Sequence, residues 1–394
     1  MPSSGVVILS GIRTAIGDFG GSLKDIPPAT LAAKVVREAV IRANVDPLEV
    51  GHVVVGHVIH TEARDMYLAR VAGLEAGLPQ SAAALTLNRV CGSGLQAILS
   101  AAQSIMLGDT RIAVAGGTES MSRAGYLLPA LRWGQCMKDS QAVDMMVGAL
   151  TDPFDQIHMG VTAENIAKKW RISREEQDRY AMESHRRAVH AIRRGYFKSQ
   201  ILPIEISTRQ GITLFDTDEH PRDEISLDQL ARLPAVFQTD GSVTAGNASG
   251  INDGAAAMVL MDAKTAEQTN QNPLARLVAY GHAGVDPQFM GIGPVAAVRQ
   301  ALHRAGLALA DMDVIESNEA FAVQACAVAH ELDFDPIKTN PNGGAVAFGH
   351  PIGATGCILA VKAIHELHRT NGRFALVTLC IGGGQGIAAI FERL

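Results

Sequence analysis

Apolar residues along the first third of the chain alternate between strand-like runs and helical spacing. Gly5 to Gly11 and His52 to Val58 read as strands; between them Leu31, Val35, Val36, Ala39 and Val40 predict an amphipathic helix over Thr30 to Ala43. Ala82 to Leu87 reads as a short buried strand, Leu95 to Leu107 as a helix punctuated by Gly108, and Arg111 to Ala115 as a strand ending in Gly116-Gly117. Strands alternating with helices predict an α/β layered domain.

The second half echoes the first. A shift of 262 residues carries Val36 onto Val298, Arg37 onto Arg299, Arg42 onto Arg304, Gly94 onto Gly356 and Arg111 onto Arg373, all in order. One shift relating distant segments predicts two similar α/β halves. Between them, Met121 to Ile206 is rich in Met, charge and loop signals. It holds one clear helix, Arg174 to Arg194, with Ser173 and Glu176 as a capping box and Gly195 as its stop. Its basic cluster, Arg186, Arg187, Arg193, Arg194 and Lys198, reads as a solvated face rather than an anion site. A Gly/Asn/Ser-rich loop then leads into the strand Ala257 to Met261, expected to rejoin the first half. The division is therefore a first half over 1–120 plus 251–272, an inserted domain over 121–250, and a second half over 273–394.

Composition narrows the function classes. A net charge of −6 argues against nucleic-acid binding. No apolar run is expected to reach the roughly 18 residues of a membrane helix, and Met1 to Asp18 lacks a charged-then-apolar leader pattern. A cytoplasmic protein is the expectation. The five cysteines (Cys91, Cys136, Cys326, Cys357, Cys380) are scattered and form no Cys-x-x-Cys pair, so neither a disulfide framework nor a metal site is indicated.

Two of those cysteines sit where chemistry is expected. In Asn88-Arg89-Val90-Cys91-Gly92-Ser93-Gly94, Cys91 lies where a strand hands over to a helix. The free N–H groups there favour a thiolate and are expected to lower its pKa. Taken alone, Cys91 is equally a small buried hydrophobe. His350, fixed by Pro351 in a glycine-rich stretch from Asn340 to Gly356, precedes the helix Cys357 to His368, which the repeat pairs with the Cys91 helix. Equivalent helix starts in two packed halves would face one another, bringing a base to the thiol. Cys380 ends the strand Phe374 to Leu379 before Gly382-Gly383-Gly384, which predicts an exposed sulfur beside N–H groups free for an oxyanion. Asn318 in Asn318-Glu319-Ala320-Phe321, after the strand Val314 to Glu316, offers a carboxamide to a water or an oxygen.

Three blocks, Asn88-x-x-Cys91-x-Ser93-Gly94, Asn340-x-x-Gly343-Gly344 through Gly349-His350-Pro351 to Gly356, and Cys380-x-Gly382-Gly383-Gly384-x-Gly386, resemble the thiolase family along essentially the whole chain. Within it the chain looks most like biosynthetic acetyl-CoA acetyltransferases. The resemblance implies an α/β thiolase fold, five-layered αβαβα from two duplicated halves, with a loop domain covering the coenzyme A site. It implies Cys91 as the acyl-accepting nucleophile, His350 as its base, Cys380 as the acid/base at the α-carbon, Asn318 and His350 as enolate stabilisers, and the N–H groups of Cys91 and Gly382 as the oxyanion hole. Coenzyme A and acyl contacts carried over are His158, Met159, Arg222, Phe237, Ala248, Ser249, Met290, Ala320 and Phe321. No bound cofactor and no metal is implied, since coenzyme A is substrate and product. The partners implied are acetyl-CoA, short 3-ketoacyl-CoA and copies of the chain in a homotetramer, a dimer of dimers.

Alternatives within the fold are a degradative 3-ketoacyl-CoA thiolase of broader chain length, a decarboxylating 3-ketoacyl synthase and a non-catalytic acyl-CoA binder. The synthase class usually has histidine at the Asn318 position and lacks a cysteine like Cys380. A non-catalytic binder is expected to have lost a reactive group, whereas Cys91, Asn318, His350 and Cys380 are all present.

Overall fold

A computed structural model describes residues 5–209 and 211–394. The main elements of the first half are β1 (Val6–Thr14), α1 (Pro28–Ala43), β2 (His52–Gly56), α2 (Leu68–Ala76), β3 (Ala83–Leu87), α3 (Ser93–Leu107) and β4 (Ile112–Ser120). Helices α4 (Met159–Trp170) and α5 (Arg174–Arg194) follow, and then β5 (Asn252–Asp262). The second half adds β6 (Ala275–Gly284), α6 (Gly293–Ala305), β7 (Val314–Ser317), α7 (Ala322–Leu332), α8 (Ile352–Thr370), β8 (Phe374–Ile381) and β9 (Gln385–Arg393).

The strands lie in the order β7-β8-β9-β6-β1-β5-β4-β2-β3. Counted within its own half, each runs 3-2-4-5-1 from the outer edge to the seam, the third place in the second half being a single bridge between Ile315 and Thr339. The 262-residue echo is thus a shared topology. At the seam β1 and β6 pair only through Val7 with Arg276 and Ile8 with Ala275. Helices α3 and α8 pack on each other and reach strands of both halves, while α1 covers β1, β4 and β5 and α6 covers β6 and β9. The layering is αβαβα.

Several local expectations change. β4 does not stop at Gly116-Gly117 but runs through both to Ser120. A side chain on Gly117 would collide with the carbonyl of Gly353, so this glycine admits the backbone of α8 rather than making a turn. β3 is not buried: its one neighbour is β2, and Leu85 is 43% exposed on that edge. Ser173 Oγ does accept the Glu176 N–H at 3.2 Å and Gly195 closes α5 at φ 73°, but the Glu176 carboxylate faces His330 Nε2 at 3.2 Å instead of completing the capping box. The basic face of α5 is matched by acids, Arg186 and Arg187 both binding Glu183 and Arg193 binding Asp223. The window Val90–Leu107 does reach the length and hydropathy of a membrane span. Its residues Leu95, Ile98, Leu99, Ala102 and Ile105 are instead buried core of the central layer. Helix α4 is an addition to the elements expected between the halves; Met159, Ala163, Ile166 and Ala167 recur at helical spacing and form its buried face.

Candidate active site

The turn that presents Cys91 is held by short-range bonds. Asn88 Oδ1 accepts the Val90 N–H at 2.8 Å; Ser93 Oγ accepts the Arg89 N–H at 2.8 Å and donates to the Val90 carbonyl at 2.7 Å. Val90 is forced to φ 46°, a costly conformation for a β-branched residue, which the surrounding bonds over-determine. A Cβ on Gly92 would sit 2.6 Å from Ile381 Cδ1, so this glycine lets the Cys91 turn close on the end of β8. Cys91 is half-buried there.

His350 comes from the other half, just ahead of α8. Its N–H donates to Asn252 Oδ1 at 3.0 Å, and a side chain on Gly349, at φ 92°, would overlap that asparagine. The imidazole tautomer follows from its neighbour. Thr355 Oγ1 donates to the Pro351 carbonyl at 2.9 Å, so it can only accept from His350, and Nδ1 carries the proton across 2.7 Å. Nε2 keeps its lone pair, with Asn318 Nδ2 at 3.5 Å. Burial pushes the His350 pKa down to about 4, so the ring is neutral at pH 7. Asn318 follows β7, and next to it the buried Glu319 accepts from Tyr180, Ser184, Asn340 and the Val346 N–H, which fixes this loop; Asn318 Oδ1 is buried with no hydrogen-bond partner among the described residues.

Cys380 and Gly382 close the opposite wall. Cys380 lies within β8, paired with Gly386, and is 1% exposed, not the exposed sulfur expected at a strand end. Its strand is covered by α8 and α6, and Cys380 lines a cavity. Cys91, His350, Cys380 and Gly382 line that cavity together, about 290 Å³ in volume. The Cys91 thiol is not acidified as its place before α3 led one to expect. Burial pushes it up to about 11, and the Glu119 carboxylate adds to the rise, while the N–H groups of Gly382 and of Cys91 itself pull it down only in part. Burial likewise pushes the Cys380 thiol up, and the neighbouring Cys91 adds to it. Lost hydration outweighs the helix end.

The same cavity is lined by His158, Met159, Phe237, Ala248, Ser249, Met290, Ala320 and Phe321. His158 caps α4 by accepting the Gly160 N–H at 3.0 Å and stacks on Phe237 with ring centroids 4.8 Å apart. The Ser249 N–H donates to the Ala320 carbonyl at 3.0 Å. Arg222 is separate, in a cavity of about 490 Å³ with His185 and His220, its N–H donating to His185 Nδ1 at 3.1 Å. Among the described residues no group of three His, Cys, Asp or Glu is arranged to hold a metal.

This geometry coincides with a known family. The thiolase N-terminal domain profile matches residues 6–264 and the thiolase C-terminal domain profile residues 271–393. The chain belongs to the thiolase family. It is 63% identical to Beta-ketothiolase BktB of Cupriavidus necator, over 99% of both chains, and 48% identical to the acetyl-CoA acetyltransferase of Pseudomonas aeruginosa, over 98% and 99%. Among solved structures, the Bacillus anthracis acetyl-CoA acetyltransferase superposes with a TM-score of 0.98 at 47% identity, covering 100% of both chains. Human mitochondrial 3-ketoacyl-CoA thiolase in complex with CoA superposes with a TM-score of 0.96 at 44% identity, over 99% and 98%. As a thiolase site it includes residues that the sequence motifs did not single out: Thr355 and Asn252 behind His350, and Glu119, Ile59 and Ile352 around Cys91. Thr355 lies five residues past His350 on a helix start, a visible spacing; Asn252 and Glu119 are brought in by tertiary pairing alone.

Proposed function

We propose that the chain is an acetyl-CoA C-acetyltransferase that condenses two acetyl-CoA into acetoacetyl-CoA and coenzyme A, and catalyses the reverse thiolysis. The observation that carries this reading is the convergence of Cys91, His350, Cys380 and Gly382 on one small cavity, with His350 Nε2 unprotonated and met only by Asn318 Nδ2 at 3.5 Å among the described residues. In the first half-reaction Nε2 takes the Cys91 proton and the sulfur attacks the thioester carbon. The oxyanion is held by the Cys91 and Gly382 N–H groups, where each such donor is worth about 3 kcal/mol. As the tetrahedral adduct collapses, the Cys380 thiol protonates departing coenzyme A, leaving acetyl-Cys91, a Cys380 thiolate and an imidazolium. In the second, that thiolate takes a proton from the α-carbon of a new acetyl-CoA. The enolate oxygen is held by the imidazolium N–H and by a water on Asn318, and the carbanion attacks the acetyl carbon. Cys91 leaves as thiolate and recovers its proton from His350. Atoms and protons balance over the cycle.

His158, Met159, Phe237, Ala248, Ser249 and Met290 form the walls for pantetheine and acyl group in this reading, with Ala320 and Phe321 beside Asn318, and Arg222 lies toward the adenine end. Coenzyme A serves as substrate and product. The cytoplasm is the compartment that suits free thiols. A homotetramer is supported by two separate sticky surfaces: the open edge of β3, and the segment between Tyr126 and Val143, where Leu131 is 73% and Trp133 90% exposed.

A second reading, 3-ketoacyl-CoA thiolysis beyond four carbons, is favoured by another cavity of about 590 Å³ that shares Val90, Ala149, Met159 and Gly382 with the first. Both readings meet one experiment: thiolysis by the purified protein across 3-ketoacyl-CoA lengths, with mass spectrometry of the Cys91 peptide. Acetoacetyl-CoA turnover with one acetyl group on Cys91 is expected. No turnover at any length, or acylation at another residue, rejects the assignment.

A further inference from the structure

Outside the residues that line the cavity, one buried acid stands at the junction of everything the site depends on. Glu119, at the C-terminal end of β4, is 0% exposed. Its Oε2 accepts the Val58 N–H at 3.2 Å and the Gly353 N–H at 2.9 Å, and its Oε1 accepts the Ile59 N–H at 3.1 Å. The first-half strand thereby grips both the segment after β2 and the first turn of α8, which belongs to the second half. Gly353 lies three residues after His350. Ile59 and Ile352, each at or next to one of the gripped N–H groups, pack together with Cys91. A Cβ at Gly353 would meet Glu119 Oε2 at 2.6 Å and the Thr118 carbonyl at 2.8 Å, so the approach requires glycine there.

We propose that Glu119 is a positioning residue for acyl transfer: by tying Val58, Ile59 and Gly353 to one carboxylate, it sets the start of α8, and with it His350, against the Cys91 thiol across the seam between the halves. The inference rests on the acyl-transfer reading of the cavity. Burial pushes the Glu119 pKa up to about 8 while the Ile59, Gly353 and Val58 N–H groups pull it down. As acid or carboxylate it has two oxygens that can accept, whereas a glutamine in its place has one and an N–H₂ that would oppose an N–H. The groups facing it are His57, whose Nδ1 lies 3.4 Å from Oε1 and donates to the Thr118 carbonyl at 3.1 Å, Asp65 beyond that ring, His60 stacked on it, Asp253 and Cys91. Among the described residues His57 is the one basic side chain within ion-pair distance, and burial holds it toward its neutral form. With its pKa raised to about 8, the Glu119 charge is in place by the pH at which Cys91 ionises, about 11, and there it opposes that ionisation without a strong counter-ion.

Geometry and charge make opposite demands on the same variant, which gives the test its resolution. In Glu119→Gln of the intact protein, kcat for acetoacetyl-CoA thiolysis falls about tenfold or more, with KM for coenzyme A within about twofold, because a displaced base slows chemistry without touching the pantetheine walls. At the same time the pH midpoint for iodoacetamide alkylation of Cys91 moves down. Gly353→Ala, which keeps the charge and moves the helix start, lowers kcat with no downward move of that midpoint. Unchanged kcat in either folded variant overturns the proposal, as does a Glu119→Gln protein whose only change is a lower melting temperature. Wild-type protein without thiolysis would overturn the acyl-transfer reading itself, before any variant is made.

Discussion

Gly94 and Gly356, which the 262-residue shift relates, lie on either side of the point where α3 crosses α8. A Cβ on Gly94 would sit 2.6 Å from the Cys357 nitrogen and 3.0 Å from the Ala354 carbonyl, and one on Gly356 would collide with the Leu95 nitrogen. Backbone faces backbone, with no flexible side chain to give way. Gly356→Ala is therefore expected to destabilise the fold by about 1–3 kcal/mol, the usual cost of overpacking a core. Because this crossing also sets the spacing of Cys91 and His350, thiolysis should fall by more than the loss of folded protein explains. Denaturant titration and kcat on the same preparation check both; a variant with unchanged midpoint and rate contradicts the account.

That crossing also explains how far the residue pattern alone reached. Gly94 and Gly356 were visible as partners in the repeat, and from them came the expectation that two helix starts face each other. Cys91, His350 and Cys380 followed because turn glycines mark backbone that approaches closely. What the pattern hid was the effect of burial. The exposed edge of β3, the run of β4 through Gly116-Gly117 and the raised Cys91 pKa all depend on which surface covers which, and local spacing does not carry that. Glu119 reaches the site through a pairing with Gly353, 234 residues away in the chain, and Asn252 through one with His350, 98 residues away, and no short motif marks them.

Thr355→Val tests the tautomer of His350. The substitution removes the acceptor of the Nδ1 proton while nearly keeping volume, so the ring is free to carry its proton on Nε2, where it cannot accept one from Cys91. A fall in kcat of about ten- to a hundredfold is expected, with KM for coenzyme A little changed. Thr355→Ser, which restores the hydroxyl, should recover most of the rate. Equal rates in the valine and serine variants would show that the hydroxyl does not hold the ring.

The pH behaviour follows from two shifts with different signs. His350 is lowered from 6.5 to about 4, so it is neutral and able to accept a proton at every pH above that value. Cys91 is raised from 9.0 to about 11, so the resting pair is thiol and imidazole, not thiolate and imidazolium. The acid limb of kcat/KM attributable to His350 should lie near pH 4, well below the ordinary histidine range. The ultraviolet thiolate band that distinguishes the free protein from its Cys91→Ala variant should be absent at pH 7. A strong thiolate band at neutral pH would mean that the N–H groups of Gly382 and Cys91 outweigh burial.

The division of labour between the two sulfurs gives the sharpest outcome. In the proposed mechanism Cys91 forms the covalent bond, so Cys91→Ala should lose acyl transfer, down to the residual rate that binding and the oxyanion N–H groups sustain. Cys380, in the same proposed mechanism, makes no bond to carbon and moves protons only. Cys380→Ser puts a less acidic hydroxyl in its place, which cannot serve as the base at the α-carbon. This variant should still take up acetyl from acetyl-CoA onto Cys91, slowly, since the departing coenzyme A can leave as its own thiolate, but condense it about a thousandfold less well. Mass spectrometry after incubation with acetyl-CoA should find acetyl on the Cys91 peptide of Cys380→Ser and none in Cys91→Ala. Equal loss of the acetyl adduct in both would show that the sulfurs act in one step, and the two-job mechanism would fall.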